Sequence, residues 1–192
     1  MKTYSESELI TALRQRDADA FAFLFENYSD RIYRLAAGLL GDEMAAEGVV
    51  QESFMRLFER LDQFEGRSKI STWLYRVAYN AAIDQLRKRR PIISLDLEIE
   101  DEDLPQPVIL IDWQHVPERL LTEAEIKTEL DRAIAELPEK YRVVFILREI
   151  EGLSTKEASA ITGMSTNLVK VRLHRARLIL REKLAESLIQ YA

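Results

Sequence analysis

Gly152-Leu-Ser-Thr-Lys-Glu-Ala-Ser-Ala-Ile-Thr-Gly-Met-Ser-Thr-Asn-Leu-Val-Lys-Val-Arg-Leu-His-Arg-Ala-Arg177 is the stretch whose reading decides the fold. Ser154 and Glu157 stand three apart in the S-x-x-E pattern of a capping box, which opens a short helix. Thr162-Gly163-Met164 is a tight turn, and Ser165 after it can cap a long final helix. Helix, short glycine-containing turn, helix is the helix-turn-helix layout, although any αα-hairpin shares that outline.

Charge separates the two readings. Projected at about 100° per residue, Val169, Leu173, Ala176 and Leu180 fall on one narrow stripe that must be buried. Opposite lie Asn167, Lys170, Val171, His174 and Arg175, with Arg172 and Arg177 on the flanks. Lys170 to Lys183 carries six basic residues against one acid, Glu182. A solvated basic face is the usual fate of such a run. Here it begins one turn after the corner, where a recognition helix meets base edges. Lys170 and Arg175 could donate to guanine, Asn167 could pair with adenine, and Val171 offers a surface for a thymine methyl. Arg172 and Arg177 are better placed for phosphates. His174 reads as a surface contact, because His115 is the only other histidine and no metal set forms.

Outward from this element, the second lobe (121–192) begins with Ile126, Leu130, Ala133, Ile134 and Leu137 at helical spacing. Pro138 stops that helix, and the next carries Val143, Val144, Leu147 and Ile150 up to Gly152. The first lobe (1–90) is helical throughout. Ser5 with Glu8 is another capping box, and Phe21, Leu24, Phe25, Tyr28, Ile32, Leu35 and Leu39 form an apolar stripe. Gly41-Asp42 supplies a stop and a fresh N-cap. Val50, Phe54, Leu57, Phe58 and Leu61 repeat the spacing until Gly66 breaks it. Ser71 or Thr72 can then cap a last helix running to about Arg90, before Pro91. On that helix Leu74, Ala78 and Ala81 make the apolar side. Trp73, Arg76, Val77, Asn80, Asp84 and Arg87 line another face leading into Lys88, which suits unstacked bases. Packing in a core is nearly as good a reading for Trp73 and Tyr75.

The chain has 192 residues and a net charge of -6, which by itself speaks against a nucleic-acid binder. The deficit is local. Residues 1–90 are net zero, residues 121–192 are +1, and residues 91–120 are -7. That middle segment holds four of the five prolines and shows no sustained helical period, so it reads as an irregular acidic linker. Its apolar patch, Val108 to Ile111 with Trp113, fits packing against a domain better than docking onto a partner. The expected fold class is therefore all-α, two helical domains joined by an acidic connector. Without cysteine there are no disulfides, thiolate metal sites or cysteine nucleophiles. No apolar run approaches a membrane span, and a cytoplasmic setting is expected. The dispersed glycines build no nucleotide-binding loop, and the acid pairs Glu47/Glu52 and Glu149/Glu151 read as surface helix carboxylates, so an enzyme is not expected.

These faces in this order resemble the extracytoplasmic-function sigma factors of bacterial RNA polymerase. The resemblance runs through Ala46-Glu-Gly-Val-Val-Gln-Glu-Ser-Phe54, the Phe64-Glu-Gly-Arg loop, and Ser71-Thr-Trp-Leu-Tyr-Arg76 with Asn80, Asp84 and Arg87. It continues in Leu137-Pro-Glu-Lys-Tyr-Arg142, Gly152-Leu-Ser and Val169-Lys-Val-Arg-Leu-His-Arg-Ala-Arg177. It implies a non-catalytic specificity subunit, without cofactor, that directs core polymerase to promoters. The helix from about Glu47 to Arg60 (Glu47, Gly48, Gln51, Glu52, Arg56) would grip the clamp helices of the largest polymerase subunit. Phe64, Arg67, Lys69, Trp73, Arg76, Asn80, Asp84, Arg87 and Lys88 would melt and hold the minus-ten element, with a flipped base captured by the Phe64 to Thr72 loop and Asn80. Asn167 to Arg177 would read the minus-thirty-five element as duplex. An anti-sigma protein is an expected further partner. Two positions depart from the family: Gly48, commonly Asp, and Val171, often Ser. Asp96 to Asp103 would serve either as an anionic stand-in for RNA in the polymerase cleft or as a self-repelling tether. The competing reading is a stand-alone helix-turn-helix regulator, which leaves the first lobe unexplained.

Overall fold

The computed structural model describes residues 4–89 and 123–190, and among these every regular element is helical. The acidic segment and its Val108 to Trp113 patch lie outside the described residues, as do both expected domain boundaries. The first lobe comprises α1 (Glu6–Arg14), α2 (Ala18–Leu40), α3 (Glu43–Arg60) and α4 (Ile70–Arg89). The second comprises α5 (Glu123–Ala135), α6 (Glu139–Phe145), α7 (Thr155–Thr162) and α8 (Thr166–Gln190), and α6 widens into a π-helical turn over Ile146–Ile150.

Local chemistry sets most boundaries. Both expected capping boxes form: Ser5 with Glu8 opens α1, and Ser154 with Glu157 opens α7. The Asp42 carboxylate accepts from the Ala45 amide at the start of α3, and Ser165 Oγ accepts from the Leu168 amide at the start of α8. At the turn between α7 and α8, Gly163 adopts φ +77°, a left-handed conformation that favours glycine. The start of α4 differs from expectation. It begins at Ile70, so Ser71 and Thr72 lie inside the first turn, and the Ile70 amide donates instead to the Glu6 carboxylate, 2.6 Å away on α1.

α2 is the central helix, packed against α3, α4 and α6. One apolar cluster runs from Leu24, Leu35 and Leu74 in the first lobe into Val144, Leu147, Ile161 and Val169 in the second. A smaller one gathers Ala133, Leu137, Tyr141, Ala176 and Leu180. The two lobes therefore share a core. Gly38 of α2 lies close against the second lobe, since a Cβ there would collide with Ile146 Cδ1. All four stripe residues of α8 are buried, as are Leu74, Ala78 and Ala81 of α4. Three expected core residues are exposed instead, Phe25, Phe58 and Ile150 at 50%, 48% and 43%, and Phe21, Tyr28 and Phe54 are only half-buried.

Candidate nucleic-acid and polymerase interfaces

Burying Leu74, Ala78 and Ala81 turns the opposite side of α4 outward. Arg76, Asn80, Asp84 and Arg87 recur at steps of three and four, and all four are exposed, as is Lys88. Trp73, half-buried, begins the stripe and packs edge-on against Phe64 at 6.0 Å. Phe64 is itself buried and so offers no open stacking surface. Residues 65–69 after it are all exposed; Arg67 pairs with Glu65 at 2.6 Å. Tyr75 settles as a core residue.

On α8, Asn167, Lys170, His174 and Arg177 are exposed, while Val171 and Arg175 are half-buried. Arg177 is tied to Glu149 at 2.8 Å. Arg172 departs from its expected place. At 2% exposure it offers no surface to a phosphate, and its Nη1 lies 3.4 Å from Met164 Sδ. Helical phase explains this, because Arg172 adjoins the buried Val169 and Leu173.

The third face belongs to α3. Glu47 and Gln51 are exposed, Gly48, Glu52 and Arg56 half-buried, and Glu52 pairs with Arg56 one turn on. Beside them runs a groove of about 760 Å³ between α2 and α3, lined by Phe21, Phe25, Gln51, Phe54, Met55 and Phe58. Met55 is 61% exposed, and Arg16 lies over the Phe58 ring at 4.2 Å. A contiguous exposed apolar patch of this kind marks an interaction surface. Sequence reasoning assigned Phe25, Phe54 and Phe58 to the core, since a period of 3.6 cannot tell a core stripe from a docking stripe beside it.

Between the lobes sits a polar cluster that the sequence reading missed. Glu151, read as a surface carboxylate, has a fully buried side chain. Arg31 Nε donates to it at 2.7 Å, Arg34 Nε at 3.0 Å and Tyr75 OH at 2.6 Å, while Arg31 Nη2 reaches the Glu151 carbonyl at 2.7 Å. A buried carboxylate needs such partners. Burial first, and the bond to Glu151 second, drive the Tyr75 phenol far above its ordinary range, so it remains a donor. Lys69 adds a second bridge between lobes, to Glu157 of α7 at 3.2 Å. Among the described residues no cluster of His, Asp and Glu could hold a metal ion, and no helix is long and apolar enough to cross a membrane.

Residues 24–92 match the family described as Sigma-70 region 2, and residues 127–180 match Sigma-70, region 4. This chain belongs to the sigma-70 family. Among its relatives is the ECF RNA polymerase sigma factor SigW of Bacillus subtilis, 36% identical over 178 residues that cover 92% of this chain and 95% of SigW. The ECF RNA polymerase sigma-E factor of Escherichia coli is 34% identical, covering 90% of this chain and 91% of that protein. The protein is an RNA polymerase sigma factor of the extracytoplasmic-function type. Its fold is shared with RpoE of Bartonella quintana, solved in complex with the anti-sigma factor NepR, at a TM-score of 0.63 and 25% identity over 86% of this chain and 96% of that one. CnrH, solved with the cytosolic domain of CnrY, superimposes at a TM-score of 0.68 over 94% of this chain and 97% of CnrH, with 22% identity. Because the family match takes in the whole of α3 and α4, the stand-alone regulator reading is set aside: this sigma factor has two family regions, and the helix-turn-helix is only the second.

Proposed function

We propose that this sigma factor divides promoter recognition between its lobes while α3 and its groove hold core polymerase. The α4 stripe (Trp73, Arg76, Asn80, Asp84, Arg87, Lys88) and the loop residues Arg67 and Lys69 engage the melted minus-ten strand, with Phe64 acting from beneath as support for Trp73. Unstacked bases present their Watson-Crick edges, which amide and guanidinium groups can read. Asn167, Lys170, Val171, His174 and Arg175 read the minus-thirty-five duplex in the major groove, and Arg177 holds phosphate. Glu47, Gln51, Glu52 and Arg56, joined by Phe54, Met55 and Phe58, meet the clamp helices. The polymerase supplies the chemistry, and this subunit is non-catalytic and cytoplasmic. An anti-sigma protein is proposed as a further partner, since a structural relative was solved with one.

The observation that carries this reading is the coexistence of two outward polar stripes on separate lobes, each opposite a fully buried apolar stripe of its own helix. The two promoter elements lie about 25 base pairs apart, or roughly 85 Å at about 3.4 Å each. A compact chain of this length has a radius of gyration of only about 16 Å. Engaging both elements therefore requires the lobes to part and the Glu151 cluster to break. The test is run-off transcription with core polymerase on a promoter library. Specific initiation from a defined pair of elements is expected; core binding without specific initiation overturns the proposal.

A further inference from the structure

We infer that Glu6 and Arg14, at opposite ends of α1, are positioning residues for the minus-ten loop, holding its two ends at a fixed separation. The inference rests on the assignment of that loop made above. Arg14 Nη2 donates to the Phe64 carbonyl at 2.7 Å, where the loop leaves the 3-10 turn after α3. The Glu6 carboxylate accepts from the Ile70 amide at 2.6 Å, where the loop enters α4. Between these two points residues 65–69 are all exposed.

The need for Glu6 is local. A helix start leaves four amides without intrahelical partners and carries a partial positive charge, so it calls for an acceptor and favours an anion. Lys69, which immediately precedes α4, is a cation with no acceptor and points its charge to Glu157 instead. Ser71 and Thr72 are already inside the helix. A carboxylate from 64 residues away therefore does the capping. α1 can serve as a rigid strut because Leu9 and Leu13 are buried and its own start is secured by the Ser5/Glu8 box. Its length from Glu6 to Arg14 is about 12 Å at about 1.5 Å per residue. Pinning the Phe64 carbonyl also fixes the ring beneath Trp73, where the α4 stripe begins. A loop ordered in advance has less conformational entropy to lose when a base arrives.

The test uses holoenzyme assembled from core polymerase and the full-length chain carrying Glu6→Ala, Glu6→Gln, Arg14→Ala, Arg14→Lys or, as a control, Asn80→Ala. Three quantities are measured: affinity for a single-stranded minus-ten oligonucleotide, affinity for core polymerase, and initiation on a duplex promoter against the same promoter pre-melted by mismatches. Losing one hydrogen bond to a charged group predicts a drop of about ten-fold in oligonucleotide affinity for each Ala variant. Core affinity should stay within about two-fold, and Glu6→Gln, which keeps an acceptor oxygen, should recover most of the loss. The defect should persist on the pre-melted promoter, since binding the strand rather than opening the duplex is impaired. Oligonucleotide affinity unchanged in both Ala variants overturns the inference, and so does a parallel loss of core affinity that reveals general unfolding. Should an Ala variant fail to fold, Glu6→Met and Arg14→Met, which keep the length of the side chain without its hydrogen-bonding group, decide by the same two criteria. Asn80→Ala separates the two levels: if it binds the oligonucleotide normally, the assignment of the minus-ten face fails, whereas a loss there beside intact α1 variants defeats the α1 inference alone.

Discussion

Glu151 and Arg31 stand on opposite lobes, and the Arg31 Nε lies 2.7 Å from the Glu151 carboxylate, whose side chain is wholly withdrawn from solvent. With Arg34 and Tyr75 completing the cluster, this one residue of the second lobe takes three side-chain donors from the first. Replacing it by Ala removes the acceptor that all three share. Breaking a buried pair typically costs ~3–5 kcal/mol. Arg31 and Arg34 are 34% and 48% exposed and can turn to water, so the expected cost is smaller, about 2 kcal/mol. Glu151→Ala should lower Tm by about 4–8 °C and lengthen the mean distance between dyes placed on α3 and α8. An unchanged distance distribution would show that the apolar interface alone keeps the lobes together.

Two helical glycines should respond in opposite ways. Around Gly48 a Cβ meets nothing within 4 Å, so Gly48→Ala should stabilise the chain by about 1 kcal/mol through helix propensity. At Gly38 the same gain is opposed by collision with Ile146, a repacking cost of about 1–3 kcal/mol. Thermal melting of the two variants side by side should show Tm rising for the first and level or falling for the second.

The α2/α3 groove can be probed without disturbing the core, because Met55 is largely exposed. Met55→Glu should change stability by no more than about 0.5 kcal/mol. If polymerase docks there, its affinity for core should fall about ten-fold or more, a burial cost of about 1.4 kcal/mol for the misplaced charge. Fluorescence titration with labelled core polymerase measures this, and unaltered affinity would remove the groove from the interface.

Acid should destabilise the fold in a defined direction. The Ser154 hydroxyl, then its amide, then Lys69 hold the Glu157 carboxyl below the usual range. The Ala45 amide and Arg89 do the same for Asp42. A depressed folded-state pKa contributes stability that is present above the unfolded value, near 4 for a carboxylate, and is lost as pH falls through the folded value. Urea midpoints should therefore decline as pH drops below about 4.5. Glu157→Gln should show a shallower decline than the unmodified chain, since one of the titrating groups is gone; identical slopes would count against Glu157 as a contributor.

On α8, Lys170 and Arg177 should separate by readout. Lys170→Ala is expected to weaken binding most at one base position, by about 1–3 kcal/mol, relaxing the preference there. Arg177→Ala should weaken all minus-thirty-five sequences alike and reduce the salt slope by about one. Holoenzyme binding to a randomised minus-thirty-five duplex at two salt concentrations distinguishes them.

Features made by neighbours in the chain are legible in the amino-acid sequence alone. The boxes Ser5/Glu8 and Ser154/Glu157, the Asp42 and Ser165 caps and the Gly163 turn each join atoms within a few residues, so local pattern specifies them. The buried stripe Val169, Leu173, Ala176, Leu180 and the outward stripe Arg76, Asn80, Asp84, Arg87 follow from helical phase in the same way. What tertiary structure decided is everything that joins distant segments. Glu151 meets Arg31 across 120 residues, and Glu6 caps α4 across 64. Phe25 and Phe58 face a groove instead of a core, and Arg172 is covered. A carboxylate at the end of a helix has the same local signature whether water or two arginines await it, because the deciding partner is chosen by how the lobes pack, and no spacing within a helix encodes that choice.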